Sequence, residues 1–352
     1  MSQDSESFTR DPLEHAALPN MNIVLNEAID DFTISVDPDD PDPQRRYKLL
    51  ASRGTWREGL TPATSADGIR WSWGRDHALR HFGDRCAYWY DPIRKRHIAW
   101  SRNQPILRKR VIFHAESDDF ETWTPPRLAI DTDSLDHPDA QIYGGYGFWY
   151  QSPNLAYIEV YDVAHQRLHT ELASSWDALT WSRMCDHVVI LSNGEHRSFD
   201  AYWTVPTFTP PHLRDGELLI HYGGRPDPHK ASGFDHVPPG MGGALGLSRL
   251  REDGFVSLDA TGQQGIVKTH PLAVGPGRSK LLINVSPFHP DRIPIEVIVE
   301  ARSEQDTLSA YQLDATDPSR VWYKVDLGQE IPKITTVRFR LRNAPLYSFR
   351  IA

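Results

Sequence analysis

Cysteine is nearly absent: only Cys86 and Cys185 stand in a chain of 352 residues. Two thiols cannot form the disulfide framework of a small secreted domain. Both sit beside apolar or strand-like residues and read as buried thiols, not nucleophiles. Long apolar runs are missing, and nothing approaches the ~18 residues of a membrane span. A basic excess is missing too. Asp plus Glu number 47 against 38 Lys plus Arg, a formal charge of −9, so the electrostatic footprint of a DNA- or RNA-binding surface is not there. The start, Met1-Ser2-Gln3-Asp4-Ser5-Glu6, lacks the basic and apolar regions of a secretory signal. As written, the chain is expected in the cytoplasm, an extracytoplasmic place being left to a longer chain.

Cofactor signatures are equally scarce. His212, His221, His229 and His236 share a region with Asp227 and Asp235, but without the close spacing of zinc ligands. They read as loop histidines. Asp37-Pro38-Asp39-Asp40-Pro41-Asp42-Pro43 lacks the calcium-loop pattern and reads as a stiff acidic turn. Gly144-Gly145 and Gly242-Gly243 are not followed by the Lys-Ser/Thr of a phosphate loop. A Gly-x-Ser-x-Gly elbow is missing as well. No metal and no cofactor are expected.

What the chain has is aromatic rings and turns. Eleven Trp, 13 Tyr and 13 Phe supply a core, and 27 Pro with 23 Gly leave little room for long helices. The rings recur. Ala87-Tyr88-Trp89 leads to Ser117-Asp118-Asp119-Phe120-Glu121-Thr122-Trp123. Gly147-Phe148-Trp149 leads to Ser174-Ser175-Trp176-Asp177-Ala178-Leu179-Thr180-Trp181. An earlier unit runs from Phe32–Val36 to Ser65-Ala66-Asp67-Gly68-Ile69-Arg70-Trp71, and a fourth opens with Ala201-Tyr202-Trp203 and closes near Asp253-Gly254. Trp71 to Trp123 is 52 residues, Trp123 to Trp181 58, Trp89 to Trp149 60 and Trp149 to Trp203 54. A period of about 50–60 residues, rich in short strands, suits four-stranded propeller blades. In the turn, Asp accepts backbone N–H groups, Gly takes a positive φ and Trp packs between neighbouring blades.

Beyond about residue 255 the pattern changes. Leu281–Val285, Ile295–Val299 and Tyr347–Ile351 read as strands, and Val337-Arg338-Phe339-Arg340-Leu341-Arg342 alternates apolar and charged residues as a strand with one wet face does. Such a tail suits a β-sandwich. The expectation is therefore an all-β chain: a polar segment over 1–21, a propeller over 22–254 and a sandwich over 255–352.

Propeller sites lie at the axis, where each innermost strand begins. The acids placed there are Asp31 beside Asp30, Asp84, Asp139 and Asp200, one group before each aromatic strand. Carboxylates in different environments are what glycoside hydrolysis uses, one as acid and one as base or nucleophile. Arg85, Trp89, Tyr143, Tyr146 and Trp203 are the candidate sugar contacts. Asp37 and Asp91, at far strand ends before Pro, read as turn residues. Glu159, inside Ala156-Tyr157-Ile158-Glu159-Val160-Tyr161, is either on a wet face or an interior acid.

Asn22-Ile23-Val24-Leu25, Arg46-Tyr47-Lys48-Leu49-Leu50, Ser65–Trp71, Phe82-Gly83-Asp84 with Trp89-Tyr90-Asp91-Pro92, Arg251–Leu258 and Val337–Phe349 together resemble bacterial proteins like glycoside hydrolase families 32 and 43. The resemblance implies a five-bladed propeller followed by a β-sandwich, and hydrolysis of a glycosidic bond by Asp/Glu residues. By motif, Asp84 matches the acid that opens a blade, and Asp139 lies in the next acid-bearing stretch. Two departures stand out. Four blade-like units are present, so the ring is four-bladed, or its first blade is missing, or residues 1–30 and part of 225–255 build an irregular one. Ala140 also stands where the resemblance leads one to look for a Glu. The expected function is hydrolysis of a furanoside or related glycan in an oligo- or polysaccharide. A non-catalytic carbohydrate-binding propeller and an intracellular scaffold are the alternatives.

Overall fold

A computed structural model describes residues 6–9, 12–13, 17, 21–54, 58–102, 109–151, 153–230, 243–286, 296–302, 307–314 and 320–352. Asp235, His236, Gly242, Ile295 and most of segment 1–21 lie outside them. Among the described residues the regular structure is strand, apart from one 3-10 turn over Pro43–Arg45, and there is no α-helix. That turn belongs to the stiff acidic stretch: Asp42 precedes it and accepts the Gln44 N–H at 2.9 Å. No helix among the described residues is long and apolar enough to cross a membrane.

The chain divides into two compact units, Met1–His212 with Leu219–Ser248, and Leu213–Leu218 with Arg249–Ala352. The first holds repeated antiparallel sheets. Strands β1 (Ile29–Val36), β2 (Tyr47–Arg53), β3 (Thr61–Ser65) and β4 (Ser72–Trp73) form one sheet in chain order. Strands β5 (Ala87–Asp91), β6 (Arg96–Arg102), β7 (Ile112–Ser117) and β8 (Arg127–Ile130) form the next. Then come β9 (Ala140–Trp149), β10 (Asn154–Asp162) and β11 (Arg167–Ser175), with β12 (Ser182–Arg183) and β13 (Val189–Leu191) on the edge of β11. The last group is β14 (Trp203–Pro206), β15 (His212–Arg214), β16 (Glu217–Arg225) and β17 (Ala244–Arg251), of which Leu213–Leu218 and Arg249–Arg251 are assigned to the second unit; β14 meets β11 in one parallel pair, Leu168 with Trp203.

The repeated turn has the expected hydrogen bonds at three places. Ser65 Oγ accepts from Gly68 N–H at 2.9 Å and Asp67 Oδ1 from Arg70 N–H at 2.8 Å. Ser117 and Asp119 do the same for Phe120 and Thr122, at 2.9 and 2.7 Å. Asp177 accepts from Leu179 and Thr180 at 2.8 and 2.7 Å. The positive-φ position is Gly68 in the first turn but Phe120 and Ala178 in the others, at φ 66° and 54°. Trp181 then reaches the β5–β6 sheet, its ring centroid 4.9 Å from Trp100 and 6.5 Å from Trp89. The run Tyr143–Phe148 in β9 is glycine-rich for a steric reason. A Cβ on Gly147 would strike the Trp89 ring, and one on Gly144 would strike the Glu159 carboxylate.

The second unit holds β18 (Leu258–Ala260), β19 (Gly265–Lys268), β20 (Leu272–Ala273), β21 (Lys280–Val285), β22 (Glu296–Arg302), β23 (Thr307–Asp314), β24 (Trp322–Asp326), β25 (Ile334–Arg342) and β26 (Ala344–Ile351). They make two sheets, β18-β26-β21-β24 and β19-β25-β22-β23, with β20 also on β25. In β25 the residues Val337, Phe339 and Leu341 are buried and join Leu281, Ile283 and Val325 in one core. The intervening arginines face outward, as the alternation requires.

Candidate functional site

Two backbone irregularities set the site. The β1–β2 register shifts between Ile29 and Phe32, and the β10–β9 register shifts between Glu159 and Val160, where Tyr143 has no opposite number. Such bulges re-aim side chains and are common beside functional sites. The first presents Asp31 and the second Tyr143.

Asp31 accepts the Cys86 N–H at 2.8 Å and the Phe32 N–H at 3.0 Å. Burial lifts its carboxyl above the ordinary carboxylate range; Arg85 and the Cys86 N–H oppose this, and the Glu159 charge adds to it. Arg85 sits in a left-handed conformation at φ 57°. Its Nε donates to Glu159 Oε2 at 2.9 Å, its Nη2 pairs with Oε1, and its guanidinium lies 4.4 Å from the Phe208 ring centroid. Burial works against the Arg85 cation, but the Glu159 and Asp31 charges outweigh it and hold the group charged. Glu159 is fully buried, and Arg85 is the partner that offsets the cost of burying a charge there. Asp31, Arg85 and Phe208 line an open cleft of about 500 Å³ together with Phe32 and Thr207. A neighbouring cleft of about 420 Å³ is lined by Ile34, Trp89, Tyr90, Tyr146 and Thr209.

A second cluster gathers around Tyr143. Arg102 pairs with Asp84 and lies over the Tyr143 ring at 4.1 Å. Arg110 stands 5.4 Å from the same ring and donates to Gln141 Oε1 at 2.8 Å. Tyr143 Oη and His229 Nε2 are 2.9 Å apart. His229 stacks on Trp203 at 5.2 Å and 5°, and Arg225 stands 4.7 Å from the Trp203 ring.

The nine residues singled out in the sequence thus separate. Asp31 and Arg85 meet, with Glu159 beneath them. Asp84, Tyr143 and Trp203 belong to the second cluster. Trp89 is 2% exposed and set edge-on to Trp100. Tyr146 stacks on Phe208 at 5.7 Å. Asp139 is exposed, its N–H donating to His137 Nδ1 at 3.3 Å. Asp200 accepts from Ser198 Oγ at 2.6 Å and Tyr222 Oη at 2.9 Å. Cys86 is buried as expected, but Cys185 is exposed. The left-handed turn Cys185-Asp186-His187, at φ 49°, 50° and 68°, turns it outward.

Sequence reading left Glu159 open and passed over Arg102, Arg110 and Arg225. Arg102 and Arg225 end strands and Arg110 lies just ahead of β7; arginines also stand at such places on plain surfaces, and nothing local tells the two apart. Asp133, Asp136 and His187 bring ligand-type atoms within 4.8 Å of one another. However, Arg183 occupies both Asp136 oxygens, at 2.5 and 2.8 Å. The group therefore reads as an ion-pair network, with a guanidinium where a metal would sit.

No family model matches the chain. No curated protein matches it either. Solved structures do. A glycosyl hydrolase from Bacteroides ovatus is 13% identical with a TM-score of 0.44, over 69% of this chain and 73% of that one. A Bombyx mori GH32 β-fructofuranosidase is 12% identical with a TM-score of 0.43, over 92% and 80%. A fructofuranosidase from Schwanniomyces occidentalis is 10% identical with a TM-score of 0.37, over 92% and 83%.

Proposed function

We propose that the chain acts on glycans by acid–base hydrolysis of a glycosidic bond, at the cleft that Asp31 and Arg85 line. The repeated sheets of the first unit are then blades of a five-bladed-type propeller with an irregular first blade, and the second unit is a β-sandwich. The observation that carries the reading is Asp31. It is a carboxyl raised by burial, set on a bulge and lining an open cleft beside aromatic rings. A raised carboxyl is protonated where an ordinary one is not, and so serves as proton donor to a leaving oxygen. Asp84, next to Arg85 in the chain, paired with Arg102 and about one third exposed, is the candidate base for the attacking water. Asp139 and Asp200 are given no part in the reaction.

A second reading has its own observation. Glu159 and Asp84 are both neutralised by arginines, an arrangement suited to holding a sugar without cleaving it. A panel of oligosaccharides assayed for product release and for binding separates the two, using wild type, Asp31→Asn and Asp84→Asn. Hydrolysis lost by ~10²-fold or more in Asp31→Asn supports catalysis. Binding without product in all three supports the second reading, and equal turnover in all three sinks the assignment of these acids.

A further inference from the structure

The cluster around Tyr143 carries charge that its own partners do not balance. Arg102, Arg110, Arg225 and Lys230 all act on His229, and with burial as the largest cause they pull its pKa down to about 4. Against these four cations, among the described residues Asp84 pairs with Arg102, and the Glu159 charge, already paired with Arg85, also reaches Arg102. The hydrogen-bond partner of Arg110 is a neutral amide. Donors are also left over. Arg102 is 3% exposed, yet among the described residues its Nε and Nη1 have no hydrogen-bond partner, and neither do Arg110 Nε, Trp203 Nε1 and His229 Nδ1. A buried donor without a partner costs about 1–3 kcal/mol, and native structures keep few of them without a use. The rings hold the guanidiniums in place through the cation–π contacts at Tyr143 and Trp203, so the donors are fixed before any ligand arrives.

We propose that Arg102, Arg110, Arg225 and His229, set around Tyr143 and Trp203, receive the anionic group of an acidic sugar, a carboxylate or a phosphate. The guanidinium fork matches both groups, and charge-assisted bonds of this kind are roughly twice as strong as neutral ones. His229 donates from Nδ1 in the tautomer whose Nε2 accepts the Tyr143 hydroxyl proton. The proposal rests on the glycan reading above and narrows it to acidic glycans.

The test is calorimetry on the full chain at pH 7 and low salt, with four probes: trigalacturonate, glucose 6-phosphate, neutral maltotriose and inorganic phosphate. The expected result is that trigalacturonate or glucose 6-phosphate binds at least about tenfold tighter than maltotriose. Which of the two binds names the source of the anion. Arg225→Gln and Arg110→Gln, at half-buried positions, should each weaken the acidic sugar about tenfold and maltotriose far less. The His229 ring protons should titrate at higher pH with the acidic sugar bound. Equal affinity for acidic and neutral sugars overturns the proposal and leaves the glycan reading standing. Binding of inorganic phosphate that depends on Arg225, with no sugar bound, keeps the anion site and overturns the glycan reading. No binding of any probe overturns both.

Discussion

Asp31 and Arg85 line the cleft with the buried Glu159 beneath them, and the Arg85 and Glu159 charges both bear on the state of Asp31. Glu159 pushes the Asp31 carboxyl up while Arg85 pulls it down. Replacing Glu159 by Gln removes the push and frees the guanidinium for Asp31. In Glu159→Gln the Asp31 carboxyl should therefore titrate at lower pH than in wild type, with proton donation at neutral pH falling in step. A carboxyl-carbon NMR titration reads this directly, and an unchanged or raised Asp31 would contradict it. The same change leaves a buried cation short of its partner, so the urea midpoint should drop by an amount worth about 3 kcal/mol. The sequence sets Asp31 just ahead of a strand, whereas it lies inside β1 on the bulge between Ile29 and Phe32, which no local pattern announces. The role of Glu159 was not legible either, because its partner lies 74 residues away in the chain and period-2 alternation does not say which neighbour faces a strand.

The Ser-x-Asp turn is the element most fully written in the sequence. Its three copies close with matching bonds, and the position after Asp is left-handed whether it holds Gly68, Phe120 or Ala178. A non-glycine residue pays about 1–2 kcal/mol there, part of which a glycine returns as chain entropy. Ala178→Gly should therefore raise the urea midpoint by the equivalent of about 0.5–1 kcal/mol. A lower midpoint would show that the Ala178 methyl, which is fully buried, matters more through packing than through backbone conformation. Sequence alone sets Gly144 outside any phosphate loop and gives Gly147 only as the start of an aromatic segment. Their purpose shows only once β10 and β5 are beside them, since the Glu159 carboxylate and the Trp89 ring fill the space a side chain would need. The alternation of β25 was legible in full, because one face of that strand meets a core and the other does not.

Across the whole molecule, buried and half-buried histidines set the response to acid. Burial pushes His97 and His229 down to about 4, and it lowers His114 as well. Each is neutral in the fold and takes up a proton near pH 6.5 once unfolded. Stability should thus be full above pH 6.5 and fall as the pH drops toward about 4, by roughly 2 kcal/mol at pH 5 for His97 alone. Below that, burial raises Asp119 and Asp177, but the turn N–H groups outweigh it and hold both near about 2, so a second loss follows between pH 4 and 2. Urea midpoints at pH 8, 7 and 5 check the first step; a midpoint higher at pH 5 than at pH 7 would contradict it.

The central claim concerns the cleft that Asp31 lines, and hydrolysis of an oligosaccharide panel tests it most directly. Reducing ends released by wild type, and release cut by ~10²-fold or more in a folded Asp31→Asn variant, is the predicted result. Release that is the same in wild type and Asp31→Asn would contradict it.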